Sequence, residues 1–466
     1  MATRVFTASD QARFAAASAD LNPIHVDAVA ARRTQAGAPV VHGVHVVLWA
    51  LDAAFADGHI VRTVASLEAT MHAFVYLDEP VAARIVAHSE SEIRITIECD
   101  GVTAVSLRIG TGAKDSGLPG LGHLESVALP PKPLELDMSQ IRGSSGRLPA
   151  MVDGAVAGMF PHAGAALGAV RVDAVARLST LVGMVCPGLH SIFGAFRVQV
   201  ARLETGVGLG FVVRNVDERV RMAEIQVGDA GIQGWVRAFV RKPPVAPPRM
   251  TDIAALVRPD EFRRTTALVI GGSRGLGAAT AKAIAAGGGR VIITYAVGEG
   301  DAREIAEEIG PGMCRVLRYD VRESAAEQLA ELPWDVTQAY YFATPPIFRR
   351  ASEVFSAARF AELLRVYVDG FAALSAALFK PDSELALFYP SSVFVEDRPR
   401  HMTEYAMAKA AGEVLCADLA RFRRGLRILV RRLPRVETDQ TSTILPASSA
   451  GAVEVMLPVV RDMHAT

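Results

Sequence analysis

The run TTALVIGGSRGLGAATAKAIAAGGGRVIITYA, Thr265 to Ala296, decides the fold. It opens with a short apolar run of strand length, ALVI. Gly271, Gly275 and Gly277 follow, and then an alanine-rich stretch that reads as a helix. A second β-branched run, RVIITY, closes it. Strand, tight turn, helix and strand within about thirty residues make one βαβ unit. Further strand-length runs, RVLRYDV, AYYFATPP and LALFYPSS, recur downstream between helical stretches. This alternation predicts a parallel, doubly wound α/β sheet over residues 262–466.

N-terminal to that unit, two stretches rich in Pro and Gly divide the chain. One spans about residues 110–149 and the other is KPPVAPPRM, Lys242 to Met250. Proline is excluded from helix interiors and central strands, so such runs usually connect domains. The expected pieces are 1–115, a linker 116–145, 146–245, a linker 246–261, and 262–466. The first piece holds a polar loop, SADLNPIHVD, then the apolar VVHGVHVVLWALDAAFA, then Thr/Val/Ile-rich runs such as EIRITIEC and TAVSLRIG. A long apolar helix followed by a strand meander predicts an α+β sheet wrapped around one helix. The second piece, with VDAVARLSTLVGMVCPGLHSIFG and then AFRVQVARL, LGFVVRNVD and IQGWVRAFVRK, reads as a degenerate duplicate.

Composition narrows the class. At 466 residues the chain is long enough for about three domains. Half of the residues are hydrophobic and 21% charged, as in an ordinary globular protein. A net charge of −1 asks for neither nucleic acid nor an anionic membrane. The four cysteines show no CxxC spacing, which points to buried thiols in a reducing compartment. The start, MATRVFTASDQARF, has no apolar core of a signal peptide, and Val44 to Phe55 is too short to span a bilayer. The expectation is a soluble, cytoplasmic protein.

The glycine turn stands where a helix N-terminus can receive a pyrophosphate. Downstream, Ser392 ends the run LALFYPSS, and Tyr405 and Lys409 lie four apart, on one side of a helix. These features resemble the short-chain dehydrogenase/reductase family over residues 265 to about 440. The resemblance implies a Rossmann domain with Ser392, Tyr405 and Lys409 as catalytic residues. It implies dinucleotide contacts at Gly271, Ser273, Arg274, Gly275, Leu276, Gly277, Asp320, Val321 and Lys409. Carbonyl reduction needs an acid at the developing alkoxide, and an ammonium beside a tyrosine favours its ionised form. The second strand, VIITYA, ends without an acid for ribose hydroxyls, and Arg274 could meet a 2′-phosphate, so NADP(H) is favoured over NAD(H). Thr344, Tyr367 and Arg435 depart from the family pattern, at the NNAG turn, the relay Asn and the Pro-Gly after the sixth strand.

The polar loop carries a second resemblance. Asp20, Asn22-Pro23 and His25, followed by His42-Gly43, resemble the MaoC-like, (R)-specific enoyl-CoA hydratase family with the hotdog fold, over about residues 5 to 110. The resemblance implies that Asp20 and His25 activate water and that the Gly43 N–H holds a thioester oxyanion. Asn22 and His42 are then substrate contacts. Hydration of an enoyl thioester needs a base, an acid and an oxyanion donor, which a carboxylate, an imidazole and a helix N-terminus supply. An Asp-Asn-Pro loop is also a common turn. His42 and His45 show no third metal ligand nearby, so packing or substrate contact is expected in place of a metal. PGLHSIF, Pro187 to Phe193, takes the slot of VVHGVHV in a second, non-catalytic half. There His190 and Ser191 either line a pocket or serve structure.

The combined expectation is an α+β double hotdog followed by an α/β doubly wound Rossmann domain. It would be a homo-oligomer coupling 3-oxoacyl reduction to hydration or dehydration on an acyl-CoA or acyl-carrier-protein thioester. A hydratase with a relic or specialised reductase is one alternative. A non-catalytic scaffold binding CoA thioesters and NADP is another.

Overall fold

The Thr-, Val- and Ile-rich runs of the N-terminal half form strands β1 (Ala2–Val5), β2 (Val64–Met71), β3 (Pro80–His88), β4 (Glu92–Cys99) and β5 (Val102–Thr111). Five more follow: β6 (Ser145–Arg147), β7 (Ser191–Val200), β8 (Gly210–Asp217), β9 (Met222–Gly228) and β10 (Ile232–Val240). This computed structural model describes residues 2–60, 62–112, 121–151, 154–201, 208–348, 354–381, 383–441 and 449–465. Of the expected first linker, 116–120 lie outside the described residues.

All ten strands belong to one antiparallel sheet of order β1-β3-β4-β5-β2-β7-β10-β9-β8-β6. Outward from the central β2–β7 pair, each half has the same order by position in its own segment: second, fifth, fourth, third, first. The β2–β7 register, Ser66 opposite Gln199, joins the halves into one sheet. The alternating burial along β4 fits a sheet with one covered face. Helix α1 (Ala8–Ser18) packs on helices, whereas α2 (Gly43–Ala56) and α3 (Ala169–Thr180), the last continued by a π-helical turn, Leu181–Val185, lie on that face. Apolar on nearly every side, α2 is buried along most of its length and packs beside α3. One apolar core runs through both halves.

The first two expected pieces are therefore one compact unit, ending at Pro243, and the second unit begins at Pro244. The described part of the first linker is not a free connector. Leu134 donates to the Met184 carbonyl and accepts from Leu189 N–H, both at 2.8 Å. The second linker is likewise fastened to the C-terminal unit. Lys282 Nζ donates to Pro248 O at 2.8 Å, and Met250 N–H donates to Glu308 at 2.6 Å.

The C-terminal unit has the expected parallel sheet, of six strands: β11 (Thr266–Ile270), β12 (Arg290–Tyr295), β13 (Cys314–Arg318), β14 (Gln338–Tyr341), β15 (Leu385–Ser392) and β16 (Leu426–Leu433). Their order is β13-β12-β11-β14-β15-β16, which places a topological switch point between β11 and β14. Helix α4 (Gly275–Ala286) follows the glycine turn, and α5 (Thr403–Phe422) packs on β15 and β16.

Gly412 sets how closely α5 approaches β15. A Cβ there would lie 1.9 Å from Tyr389 Oη and 2.3 Å from its Cζ. Alanine in a helix normally gains up to about 1 kcal/mol over glycine. Here overpacking, about 1–3 kcal/mol, should win. Gly412→Ala is expected to lower the melting temperature of the C-terminal unit by a few degrees in calorimetry, against the rise that propensity alone predicts.

Candidate functional site

A capping box of Thr7 and Asp10 starts α1, and Ala19, at a left-handed φ of 61°, ends it. This turn directs Asp20 inward, where it is buried. The next residues are fixed by Asn22. Its Oδ1 accepts from Ile24 N–H at 3.2 Å and so caps the short helix Pro23–Val26. Its Nδ2 donates to Gly183 O at 2.8 Å and to Gly188 O at 3.2 Å. Gly183 O needs that donor, because the residue four positions on is Pro187, which has no N–H. The helix presents His25, whose Nδ1 lies 2.8 Å from the Val40 carbonyl. A carbonyl only accepts, so Nδ1 carries the hydrogen and Nε2 is the basic nitrogen.

Asp20 is held from both halves of the sheet. Its Oδ2 accepts from Ser179 Oγ at 2.6 Å, and its Oδ1 from Asn22 N–H at 3.2 Å. Burial pushes the Asp20 pKa up, while His25, Ser179 and Asn22 oppose the shift. Burial pushes His25 down, opposed by Asp20 and Val40 O. Asp20, His25, Asn22 and Gly43 line a pocket of about 660 Å³, counted with its mouth. Gly43 opens α2, where first-turn N–H groups have no carbonyl in their own helix. Met71 covers it so closely that a Cβ would sit 3.2 Å from the methionine side chain.

His42 departs from the expected substrate contact. It is fully buried, and it is not part of the pocket lining. Nδ1 faces Gln11 Oε1 at 2.8 Å, and Nε2 faces the Asp20 backbone carbonyl at 3.1 Å. Its ring stacks on His25 with centroids 3.8 Å apart. The ring is a strut beneath the site. Donor atoms of Asp20, His25 and His42 lie within 4.8 Å of one another, but both His42 nitrogens already face protein oxygens. His45 stacks on Phe14 at 4.5 Å and is pushed by burial down to about 3, so it is neutral packing.

The second half is not a bystander. Ser179 comes from α3, and Gly183 lies in the π-helical turn, where a Cβ would sit 2.3 Å from Asp20 Oδ1. Thr180 Oγ1 donates to Ser18 O at 2.6 Å, which pins the end of α1. PGLHSIF does not occupy the slot of VVHGVHV. The latter leads into α2, whereas PGLHSIF leaves the π turn and runs into β7. Ser191 and Phe193 line the pocket, and His190 turns to Glu135 at 2.8 Å. The sequence signal for Ser179 and Gly183 is weak but physical: two small residues four apart on an otherwise apolar helix face mark a close approach.

In the C-terminal unit the glycine turn has the shape of a cradle. Gly271 (φ 75°) and Gly275 (φ 53°) are left-handed, and a Cβ at Gly277 would meet Gly271 O at 2.2 Å. Gly271 N–H donates to Thr294 Oγ1 at 3.0 Å. Such a turn fits a dinucleotide pyrophosphate, which needs bare backbone at close range. Ser273 is buried in the turn and Leu276 packs on the unit's core. Asp320 accepts from Arg322 N–H at 3.0 Å, and Val321 packs beside Tyr367.

Ser392 and Tyr405 meet by a side-chain hydrogen bond, and burial pushes Tyr405 up to about 12. Lys409 is aimed elsewhere. Its Nζ donates to Pro390 O at 2.7 Å and lies 3.8 Å from the Tyr367 ring centroid, and burial pushes it down to about 7. Tyr367, in the π-helical turn Arg365–Asp369, pairs its hydroxyl with Thr344 Oγ1 at 2.6 Å. Arg435 donates to the Thr441 carbonyl. Arg274, expected at a 2′-phosphate, is already engaged: its Nε donates to Asp439 Oδ2 at 2.7 Å.

A raised Asp20 pKa has a stability consequence. Between the unfolded value of about 3.9 and the higher folded value, the folded unit binds more protons than the unfolded chain, so stability falls as pH rises. Asp20→Asn is therefore expected to raise the melting temperature of the N-terminal unit at pH 7, by an amount equivalent to ~1 kcal/mol. Melting curves at several pH values should show the gain shrinking toward acid.

Comparison with known proteins follows the same division. Residues 2–106 match the family model "MaoC like domain", and residues 265–336 match "short chain dehydrogenase". No curated protein matches the chain. Among solved structures, a short chain dehydrogenase/reductase family protein is 22% identical, covers 44% of this chain and 91% of its own, and has a TM-score of 0.38. A dehydrogenase/reductase from Sinorhizobium meliloti 1021 is 21% identical, with 46% and 92% covered and a TM-score of 0.38. The FolM alternative dihydrofolate reductase 1 from Brucella canis, solved with NADP, is 15% identical, with 44% and 90% covered and a TM-score of 0.39. The chain thus carries a MaoC-like domain at its N-terminus and a short-chain dehydrogenase domain toward its C-terminus.

Proposed function

We propose that this protein is a bifunctional acyl-thioester enzyme. Its N-terminal unit, a double hotdog, interconverts 2-enoyl and (R)-3-hydroxyacyl thioesters. Its C-terminal unit interconverts 3-hydroxyacyl and 3-oxoacyl thioesters. The observation that carries this is the convergence of the buried Asp20 and the half-buried His25 on one pocket that also holds the first turn of α2. The substrate is a CoA or carrier-protein thioester. The buried free cysteines suit a reducing cytoplasm, and a homo-oligomer is the expected assembly.

In the hydration direction, water sits between Asp20 and His25. His25 Nε2 takes its proton as the oxygen bonds to Cβ, and the protonated carboxyl of Asp20 delivers a proton to Cα. The burial that raises the Asp20 pKa favours that protonated form. The Gly43 N–H and the positive end of α2 hold the enolate oxygen. Ser179 and Asn22 fix the carboxyl, so the second half completes the site.

In the reductase unit, the glycine turn from Gly271 to Gly277 takes the pyrophosphate, and Asp320 and Val321 flank the adenine. A nicotinamide dinucleotide, when bound, supplies the hydride. Tyr405 then gives its phenolic proton to the carbonyl oxygen that Ser392 holds. The Tyr367 ring over Lys409 favours a second reading of this half, a reductase specialised in its proton path.

Mass spectrometry of 3-oxoacyl-CoA substrates incubated with NADPH or NADH tests the reading. Hydroxyacyl and enoyl products together are expected. Asp20→Asn should stop enoyl formation and leave reduction intact, while Tyr405→Phe should do the reverse, each by about 10²-fold or more in kcat/KM. If either substitution abolishes both steps while the protein stays folded, or if no thioester reacts, the two-site reading is wrong. Gly183→Ala should cost hydration about 10²-fold by displacing the Asp20 carboxyl, and the same overpacking should lower the melting temperature of the N-terminal unit by a few degrees.

A further inference from the structure

We infer that Asp439 is a specificity-determining residue of the dinucleotide site, and that by occupying Arg274 it makes the reductase unit prefer NAD(H) to NADP(H). This inference rests on the dinucleotide reading of the glycine turn and reverses the preference that Arg274 alone suggested.

The geometry is a closed ring of three bonds. Arg274, the residue that leads into α4 from the glycine turn, donates Nε–H to Asp439 Oδ2 at 2.7 Å. The other carboxylate oxygen accepts from Val245 N–H at 2.8 Å. Arg274 Nη2 closes the ring by donating to Val245 O at 3.1 Å. The side chains are largely enclosed, Arg274 17% and Asp439 11% exposed. A 2′-phosphate is recognised by a guanidinium whose charge and N–H fork are free to face it. Here both are spent, and the acceptor is an anion that would repel the phosphate. Freeing Arg274 would also strip the carboxylate of a partner in a partly buried place, which costs more than opening a surface pair.

The neighbouring cations follow the same pattern. Arg303 pairs with Glu299 at the start of the helix after β12, and Arg318, at the end of β13, pairs with Glu323. Those pairs are exposed and contribute little, so they can open. Of the three, the Arg274–Asp439 pair is the enclosed one. A dinucleotide with a neutral ribose hydroxyl needs none of these cations released.

Fluorescence titration of the full chain with NADH and NADPH reads the two dissociation constants without turnover. Wild type should bind NADH at least about tenfold more tightly. Asp439→Asn keeps an acceptor for Val245 but removes the charge, and should shift the ratio about tenfold or more toward NADPH. Arg274→Ala placed on the Asp439→Asn background should abolish that shift, because the freed guanidinium is what would receive the phosphate. The wild-type ratio provides a test should the variants not fold. Tighter NADPH binding by wild type, a ratio that Asp439→Asn leaves unmoved, or a shift toward NADPH that survives Arg274→Ala in the double variant each overturns this inference alone. Binding of neither nucleotide overturns the dinucleotide reading, and this inference with it.

Discussion

The hydrogen bond from Ser179 to Asp20 is the constraint on which the N-terminal unit turns. A carboxyl group withdrawn from water is costly unless donors converge on it. Asp20 finds one donor two residues away, Asn22 N–H, and the other across the molecule on α3. Reaching that second donor requires the β2–β7 junction, which sets α2 and α3 side by side beneath one sheet. It also requires Gly183, since any side chain there would occupy the space of the carboxyl group. Sheet order, helix packing and a single absent Cβ are thus coupled through one 2.6 Å contact.

The two halves share a strand order but not their chemistry. The first offers Asp20, His25 and the start of α2. The second offers Ser179, the π-helical turn and the pocket wall from Ser191 to Phe193. The division has a local cause in Pro187. Without an N–H there, the Gly183 carbonyl is left for the Asn22 side chain, and this ties the Asp20-to-His25 loop to the other half. A break in one helix ladder thereby becomes an inter-half fastening, a common use of π turns at working sites.

What the sequence made legible was local. The glycine turn, the parallel sheet and the Asp20-to-His25 loop all follow from motifs a few residues long or from the alternation of adjacent elements. What it hid were partners far apart in the chain. Ser179 lies 159 residues from Asp20, and Asp439 lies 165 from Arg274. His42 was left between packing and substrate contact for a related reason: its position next to Gly43 suggested the pocket, but Gln11, on α1, draws the ring into the core. The expected linkers differ likewise, because the backbone hydrogen bonds of Leu134, Pro248 and Met250 cannot be read from proline content.

The departures in the reductase half are coordinated. A buried tyrosine hydroxyl needs a partner, and Tyr367 finds it in Thr344, the other replaced position. The face of the same ring is turned to the Lys409 ammonium, an attraction that strengthens out of water. Pro390 O takes a hydrogen from that ammonium at 2.7 Å. Thr344 and Tyr367 thus satisfy each other and the lysine together, with Tyr405 and Ser392 in contact beside them.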